Sequence, residues 1–136
     1  MKLYTKIIPL IAVFAFFFNT ASSIYPPEEI PSDIAIAFKV GTARELARFF
    51  NDNLELSVEG KEDIYSKSQA ERIMDDFFAK YPPKSFKFIH EGGKEDAQYA
   101  IGKHITFNGN FRVYMLLKKS NGKLLIHQLI IEKENG

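Results

Sequence analysis

Apolar positions recur at two different spacings along this chain, and the switch between them comes near Pro83. Before it the spacing is mostly helical. Ser32 or Asp33 caps a short predicted helix that runs to Val40, with Pro31 just outside it and Gly41 ending it. Thr42-Ala43-Arg44-Glu45 has the form of a capping box and opens a second helix with Leu46, Phe49 and Phe50 on one face, stopped by Asn51-Asp52-Asn53. Leu54, Leu56 and Val58 then alternate with Glu55, Ser57 and Glu59, the period of a strand with one wet face, and Gly60 to Asp63 turn it toward Ile64-Tyr65. A second box, Ser68-Gln69-Ala70-Glu71, starts a third helix whose Ala70, Ile73, Met74, Phe77 and Phe78 share a face. Tyr81-Pro82-Pro83 ends it.

Beyond Pro83 there is no proline, and Gly92-Gly93, Asn108-Gly109 and Asn121-Gly122 punctuate apolar and β-branched runs. Asn-Gly tolerates the positive φ of tight hairpin turns. Strands are expected near Ser85 to His90, Gln98 to Phe107, Phe111 to Lys118 and Leu124 to Glu132, joined as a C-terminal β-meander. The order of elements predicts an α+β domain with three N-terminal helices packed on an antiparallel sheet.

If Asn108 and Asn121 each open a two-residue turn, Phe107 pairs with Asn110 and Ser120 with Lys123, and the faces follow by counting outward. One face collects Ala100, Gly102, His104 and Thr106 with Phe111, Val113, Met115 and Leu117 and with Leu124, Ile126, Gln128 and Ile130. The other collects Tyr99, Ile101, Lys103 and Ile105 with Arg112, Tyr114 and Leu116 and with Leu125, His127, Leu129 and Ile131. Both faces are largely apolar, so both need covers. Helices can supply one. For the other, two covers stay open: a second copy in a two-fold dimer over Phe111, Val113, Met115, Ile126 and Ile130, or the N-terminal segment or Leu54 to Val58 folded across it.

The N-terminus changes what the composition means. Lys2 and Lys6, the apolar run Ile7 to Phe18 and the small residues Ala21-Ser22-Ser23 read as a secretory signal over residues 1–23. The run is shorter than the roughly 20 residues a membrane span needs, and Pro9 breaks it near its start, so no stable membrane insertion is expected after cleavage. Residues 24–31, with Pro26, Pro27 and Pro31, form an extended lead-in, and residues 32–136 the folded domain. Without Lys2 and Lys6 the 18 basic residues become 16 against 17 acidic ones, so the exported chain is near neutral and nucleic acid is not an expected partner. Zero cysteines exclude disulfides, thiolate metal sites, a cysteine nucleophile and an acylated lipoprotein cysteine. The expected location is periplasmic or extracellular.

Three helices broken by one strand pair and followed by a long meander resemble the nuclear transport factor 2-like superfamily, the cystatin-like α+β cone. More closely, the chain resembles a family of small secreted Bacteroidetes proteins of unknown function. The resemblance runs from Ile30 to Glu132. It rests on Asp33-Ile34-Ala35-Ile36-Ala37-Phe38, Phe49-Phe50-Asn51-Asp52-Asn53, Gly60-Lys61-Glu62-Asp63-Ile64-Tyr65-Ser66, Asp76-Phe77-Phe78, Pro83-Lys84-Ser85-Phe86 and Phe111-Arg112-Val113-Tyr114. It implies a curved sheet wrapped on three helices, a conical cavity open at one end, and sheet-to-sheet dimers. It implies no activity, because the superfamily holds isomerases, dehydratases, cyclases and binding proteins alike.

An isomerase-type reaction in such a cone needs a carboxylate or histidine base in an apolar pocket and a tyrosine or protonated acid as oxyanion donor. The acids here fall in turns, caps and helix surfaces, and none interrupts the last three strands before Glu132; Asp63 beside Tyr65 is the one that can approach a cavity. The set that stands out is Tyr99, Lys103, Arg112, Tyr114 and His127, placed on one face among Leu and Ile, with Arg112 opposite Ile105 and Ile131. On a concave face, Arg112 and the two phenols can hold a carboxylate or other anionic group, with His127 as donor or base. Against this stands a solvated strand end in which the cations snorkel outward. His90, His104 and His127 have no metal-ligand spacing, and no cofactor motif is present. The sequence therefore predicts an exported, non-enzymatic pocket protein, dimeric, binding a small or peptide ligand or an envelope partner. The alternative is a small acid–base enzyme using Tyr114 or Tyr99 with His127 or Asp63.

Overall fold

The structure, a computed structural model, describes residues 28–135; the signal sequence expected at 1–23 and the first half of the lead-in lie outside the described residues. Helix α1 spans Ser32–Val40 and is stopped by Gly41 in the left-handed conformation, as its position predicts. Helix α2 is a single short turn, Ala43–Ala47, and the Thr42 hydroxyl makes no cap bond. Phe50 leaves the expected helix to open strand β1, Phe50–Val58, which runs through Asn51-Asp52-Asn53; its ring is buried beside Ile126. Strand β2 is Lys61–Ser66, and helix α3 spans Lys67–Lys80. The α3 cap lies two residues before the expected one: Ser66 Oγ accepts from the Gln69 N–H at 3.3 Å while Gln69 Oε1 accepts from the Ser66 N–H at 3.1 Å.

Strands β3 (Pro83–Lys94), β4 (Ala97–Thr106), β5 (Gly109–Ser120) and β6 (Lys123–Lys133) form the meander. The sheet order is β2-β1-β6-β5-β4-β3, antiparallel except for the parallel pair β1–β6. All three helices lie on one side: α1 packs on β3, and α3 on β1 and β2, with α2 against α1 and α3. The fold is therefore α+β with an open, antiparallel-rich sheet, and the expected strand pair separates α2 from α3, but α2 is vestigial.

Three registers differ from the sequence reading. The Gly92-Gly93 pair lies inside β3, which turns instead at Glu95-Asp96. The β4–β5 turn is Phe107-Asn108, because Thr106 caps it: Thr106 Oγ1 donates to the Gly109 carbonyl and accepts from the Asn108 N–H, while the Asn108 side chain donates to Lys80 O. This moves the pairing by two and keeps every β4 and β5 side chain on its expected face. Arg112 consequently pairs with Lys103 and Glu132, not with Ile105 and Ile131. The β5–β6 turn at Asn121-Gly122 forms as predicted, but a bulge after Ile126 inserts one residue, so Leu117 faces Ile126 while Leu116 faces Gln128. From there β6 is reversed. Leu129 and Ile131 point into the core and are fully buried, whereas Gln128 and Ile130 turn outward.

The inward row Phe111, Val113, Met115 and Ile126, expected to be free for a second copy, is covered by the chain's own helices, with each residue at most 3% exposed. Ile130 alone of that set remains outside.

Candidate functional site

The helix-facing side of the sheet is closed by rings. Phe86 stacks on Phe38 at 4.6 Å between centroids, and Phe111 packs edge-on against Phe77 and Tyr81. His104 sits in the middle, its ring 5.7–6.1 Å from Phe38, Phe77, Phe78 and Phe86. It is fully buried, and neither ring nitrogen meets a protein partner. Burial with no compensating bond pushes its pKa down to about 4, so the imidazole is neutral at pH 7. A neutral imidazole among phenylalanines has no acid or base partner with which to do chemistry.

The sequence-predicted set lies on the opposite side. Tyr99, Lys103, Arg112, Tyr114 and His127 share the outward face of the sheet, so the grouping holds, on the side away from the helices. Three cross-strand rows describe this face. The first runs Ile64, Glu55, Gln128, Leu116, Tyr99, Gly92; the second Glu62, Ser57, Ile130, Tyr114, Ile101, His90; the third Glu132, Arg112, Lys103, Lys87. Its centre is apolar and half-exposed, around Ile101, Tyr114, Leu116 and Ile130. Within these rows Glu55, Glu62 and Glu132 stand toward β2, and Arg112, Lys103 and Lys87 stand side by side toward β3, while Lys118 and Lys123 extend the face beyond them on β5 and β6. Arg112 approaches Glu134 at 3.4 Å, and Tyr114 together with that carboxylate strengthens its hold on its proton. Gln128 Nε2 donates to Glu55 at 3.0 Å, and Glu55 in turn raises the pKa of its neighbour Glu62. The Tyr99 phenol reaches His90 at 3.1 Å rather than His127. His127 sits at the bulge, its Nε2 without a partner, and desolvation and then Lys118 lower its pKa.

A cleft of about 250 Å³ opens on the helix side, between α3 and the β1–β2 hairpin. Leu56, Val58, Ile73 and Phe77 line its floor, and the Tyr81 hydroxyl donates to Glu59 at 2.6 Å. That bond raises the phenol's pKa. Glu59 holds φ at 52°, a left-handed conformation uncommon for a carboxylate, as the first residue of the two-residue Glu59-Gly60 turn. Asp63, the acid expected near a cavity, is exposed and its carboxylate accepts the backbone N–H of Ile64. It also stands across the sheet from Tyr99 and Tyr114, because its partner Leu56 points into the core. A second cleft, of about 440 Å³, lies between the lead-in and β3, with Phe88 and Ile30 below and Glu28, Glu29 and Glu91 at the rim. Among the described residues no three His, Asp or Glu side chains could together hold a metal ion.

Sequence reasoning missed Glu59 and Tyr81 as partners and Glu132 as the neighbour of Arg112. The first pair is 22 residues apart and meets only because α3 ends against the hairpin turn. The Glu-Gly dipeptide was the available sign of a tight turn there.

A family model described as a domain of unknown function, DUF4783, matches residues 31–132. A solved DUF4783 family protein from Bacteroides ovatus ATCC 8483 is 37% identical, with 79% of this chain and 98% of that one covered and a TM-score of 0.76. One from Bacteroides uniformis ATCC 8492 is 33% identical, covering 79% and 100%, with a TM-score of 0.77. At 15% identity, an NTF2-like protein of unknown function from Shewanella baltica OS155 shares the fold alone, with a TM-score of 0.60 over 77% of this chain and 88% of its own. No curated protein matches. A match across the whole folded domain and 37% identity to a solved member leave one conclusion: the chain belongs to the DUF4783 family, a domain of unknown function on the nuclear transport factor 2-like fold.

Proposed function

We propose that this is an exported, non-catalytic binding protein, and that it binds through the outward face of its sheet rather than through a pocket inside the cone. The observation that carries this reading is the contrast across the sheet. Rings fill the space between helices and sheet, where a substrate would have to sit, and the histidine buried among them, His104, has no partner. The outer face instead offers half-exposed Ile, Leu and Tyr side chains edged by charge, the composition of a protein-binding surface. Tyr99, Arg112 and Tyr114 belong to the residue types that dominate such surfaces. Periplasmic or extracellular location follows from the signal sequence.

A second reading, a small acid–base enzyme, is favoured by one feature: the Tyr81–Glu59 pair above an apolar floor. It replaces the Asp63 or His127 pairing expected from sequence. Peptides selected from a displayed library against the full chain, then mapped by NMR, test the choice. Binders are expected to shift Ile101, Lys103, Tyr114 and Ile130 and to be lost in Tyr114→Asp. Binders that map to the cleft, or turnover of a carbonyl or hydroxy substrate abolished by Glu59→Gln, overturn the binding reading.

A further inference from the structure

We infer that one end of the molecule docks on an anionic phospholipid surface, with Phe107 entering the headgroup layer and a ring of lysines on the phosphates around it. Several turns and helix ends are tied together at this end. The Phe107 N–H donates to Pro82 O, the Asn108 side chain to Lys80 O, and the Glu59 N–H to Ile131 O near the end of β6. Gly41, which stops α1, lies so close to Pro83 that a Cβ would stand 2.9 Å from its ring. Two large apolar side chains are left in solvent here: Phe107 in the β4–β5 turn, 66% exposed, and Val40 at the last position of α1, 67% exposed. A tight turn asks for Gly, Asn or Asp, so a phenylalanine in it serves neither the turn nor the core. Five exposed lysines accompany them. Lys39 is in the last turn of α1, Lys61 opens β2, Lys80 ends α3 and Lys133 ends β6, while the Lys84 ammonium lies 4.7 Å over the Phe107 ring. The acids nearby are engaged or face elsewhere. Tyr81 and Lys80 hold Glu59, Arg112 holds Glu134, Glu62 and Glu132 belong to the outward face, and Asp76 lies a turn back along α3. Charge and apolar exposure together select the occupant. Lysine stems reach headgroup phosphates while an apolar ring passes between them. A soluble polyanion would satisfy the lysines and leave Phe107 and Val40 in water. The contact is peripheral, since among the described residues no helix is long and apolar enough to cross a membrane.

The chain has no tryptophan, so Phe107→Trp introduces a single reporter. In the exported chain, without residues 1–23, its emission is expected to shift to the blue on adding vesicles of equimolar phosphatidylglycerol and phosphatidylcholine, and to stay unchanged with phosphatidylcholine alone. Tyr99→Trp, at the other end of β4, should not shift with either. In cosedimentation with the anionic vesicles, Phe107→Ser should weaken binding about ten-fold. Lys39→Gln and Lys84→Gln should each weaken it about five-fold. All three side chains are exposed, so thermal melts of the variants should match the parent. No binding to the anionic vesicles, equal binding to neutral ones, binding unchanged in Phe107→Ser, or a blue shift at Tyr99→Trp in place of Phe107→Trp overturns the inference. So does a Phe107→Trp shift with polyglutamate and none with vesicles, which would assign this end to an acidic protein.

Discussion

Phe111 and Arg112 are adjacent in sequence and stand on opposite sides of one sheet. Phe111 is fully buried between Phe77 and Tyr81; Arg112 lies in solvent beside another cation. Strands β4, β5 and β6 are divided in this way. On the inner side the residues are fixed by packing, and a ring shifted by an ångström has nowhere to go. On the outer side they are half-exposed and tolerate arrangements, such as the Arg112–Lys103–Lys87 row, that a stability criterion alone would not retain. The inner side is where the fold is held together, and the outer side is where the proposed binding would act.

The sharpest attempt to break this contrast compares neighbours. Phe111→Ala is expected to lose about 3–5 kcal/mol of unfolding free energy, as buried aromatic truncations do. Tyr114→Ala, three residues on and on the other side, should cost roughly 1 kcal/mol or less when the chain is dilute enough to be monomeric. Urea denaturation of both measures the difference, and similar losses would mean that the outer side is covered within the same chain.

His104 is the exception on the inner side, and its effect has a sign. Its folded pKa of about 4 lies below the unfolded 6.5, so the unfolded chain takes up the proton first. Stability is therefore complete above about pH 6.5 and falls as the pH drops toward 4, by roughly 3 kcal/mol in total. His104→Leu should remove that dependence between pH 6.5 and 4, and by eliminating two unpaired nitrogens should raise stability at pH 7 by about 1–3 kcal/mol. A chain whose acid sensitivity in this window survives His104→Leu would place the titrating group elsewhere.

The division between sides also explains what the sequence could and could not convey. Alternation in β4 and β5 sorts Tyr99, Lys103, Arg112 and Tyr114 onto one face, and expecting the turn at Asn108-Gly109 rather than at Phe107-Asn108 leaves the sorting intact because a slip of two preserves the period. The bulge after Ile126 is a slip of one, and it reverses Leu129, Ile130 and Ile131. Nothing in Ile126-His127-Gln128-Leu129 marks it; it is settled by Leu129 and Ile131 finding the core. Which side the helices cover was undecidable from two similarly apolar faces. The answer lies in shape: Gly102 makes room for the Phe86 ring, which stacks on Phe38 of α1. Phe50 illustrates a tertiary override, since its helical spacing with Leu46 yields to a buried place beside Ile126. The Tyr81–Glu59 contact depends on how α3 meets a turn, which no local pattern encodes.

Two glycines on opposite sides refine the comparison. A Cβ on Gly102 would stand 2.3 Å from the Phe86 ring, which is clamped by Phe38; Gly102→Ala is expected to cost about 1–3 kcal/mol. A Cβ on Gly92 would stand 2.6 Å from the Tyr99 hydroxyl, but that ring can swing into solvent and lose only its contact with His90. Gly92→Ala should therefore cost less than about 1 kcal/mol. Thermal melts of the two variants check it, and equal costs would show that the outer side is packed as rigidly as the inner.

The smallest effect separates the sides most cleanly because its sign is opposite to that of ordinary mutations. Lys103 lies between Arg112 and Lys87 in register, and among the described residues it makes no ion pair. Like charges directly opposite on a sheet cost roughly 0.2–1 kcal/mol, and threonine favours strands. Lys103→Thr should therefore stabilise the dilute monomer by a few tenths of a kcal/mol. The gain should shrink at about 1 M salt, where the Debye length falls to roughly 3 Å and the lysine no longer feels its neighbours. If Lys103 were held for folding, the substitution would destabilise the chain at every salt concentration. A stabilised monomer that no longer binds the selected peptides would show that this cation is kept at the expense of the fold for what it meets on the outer face.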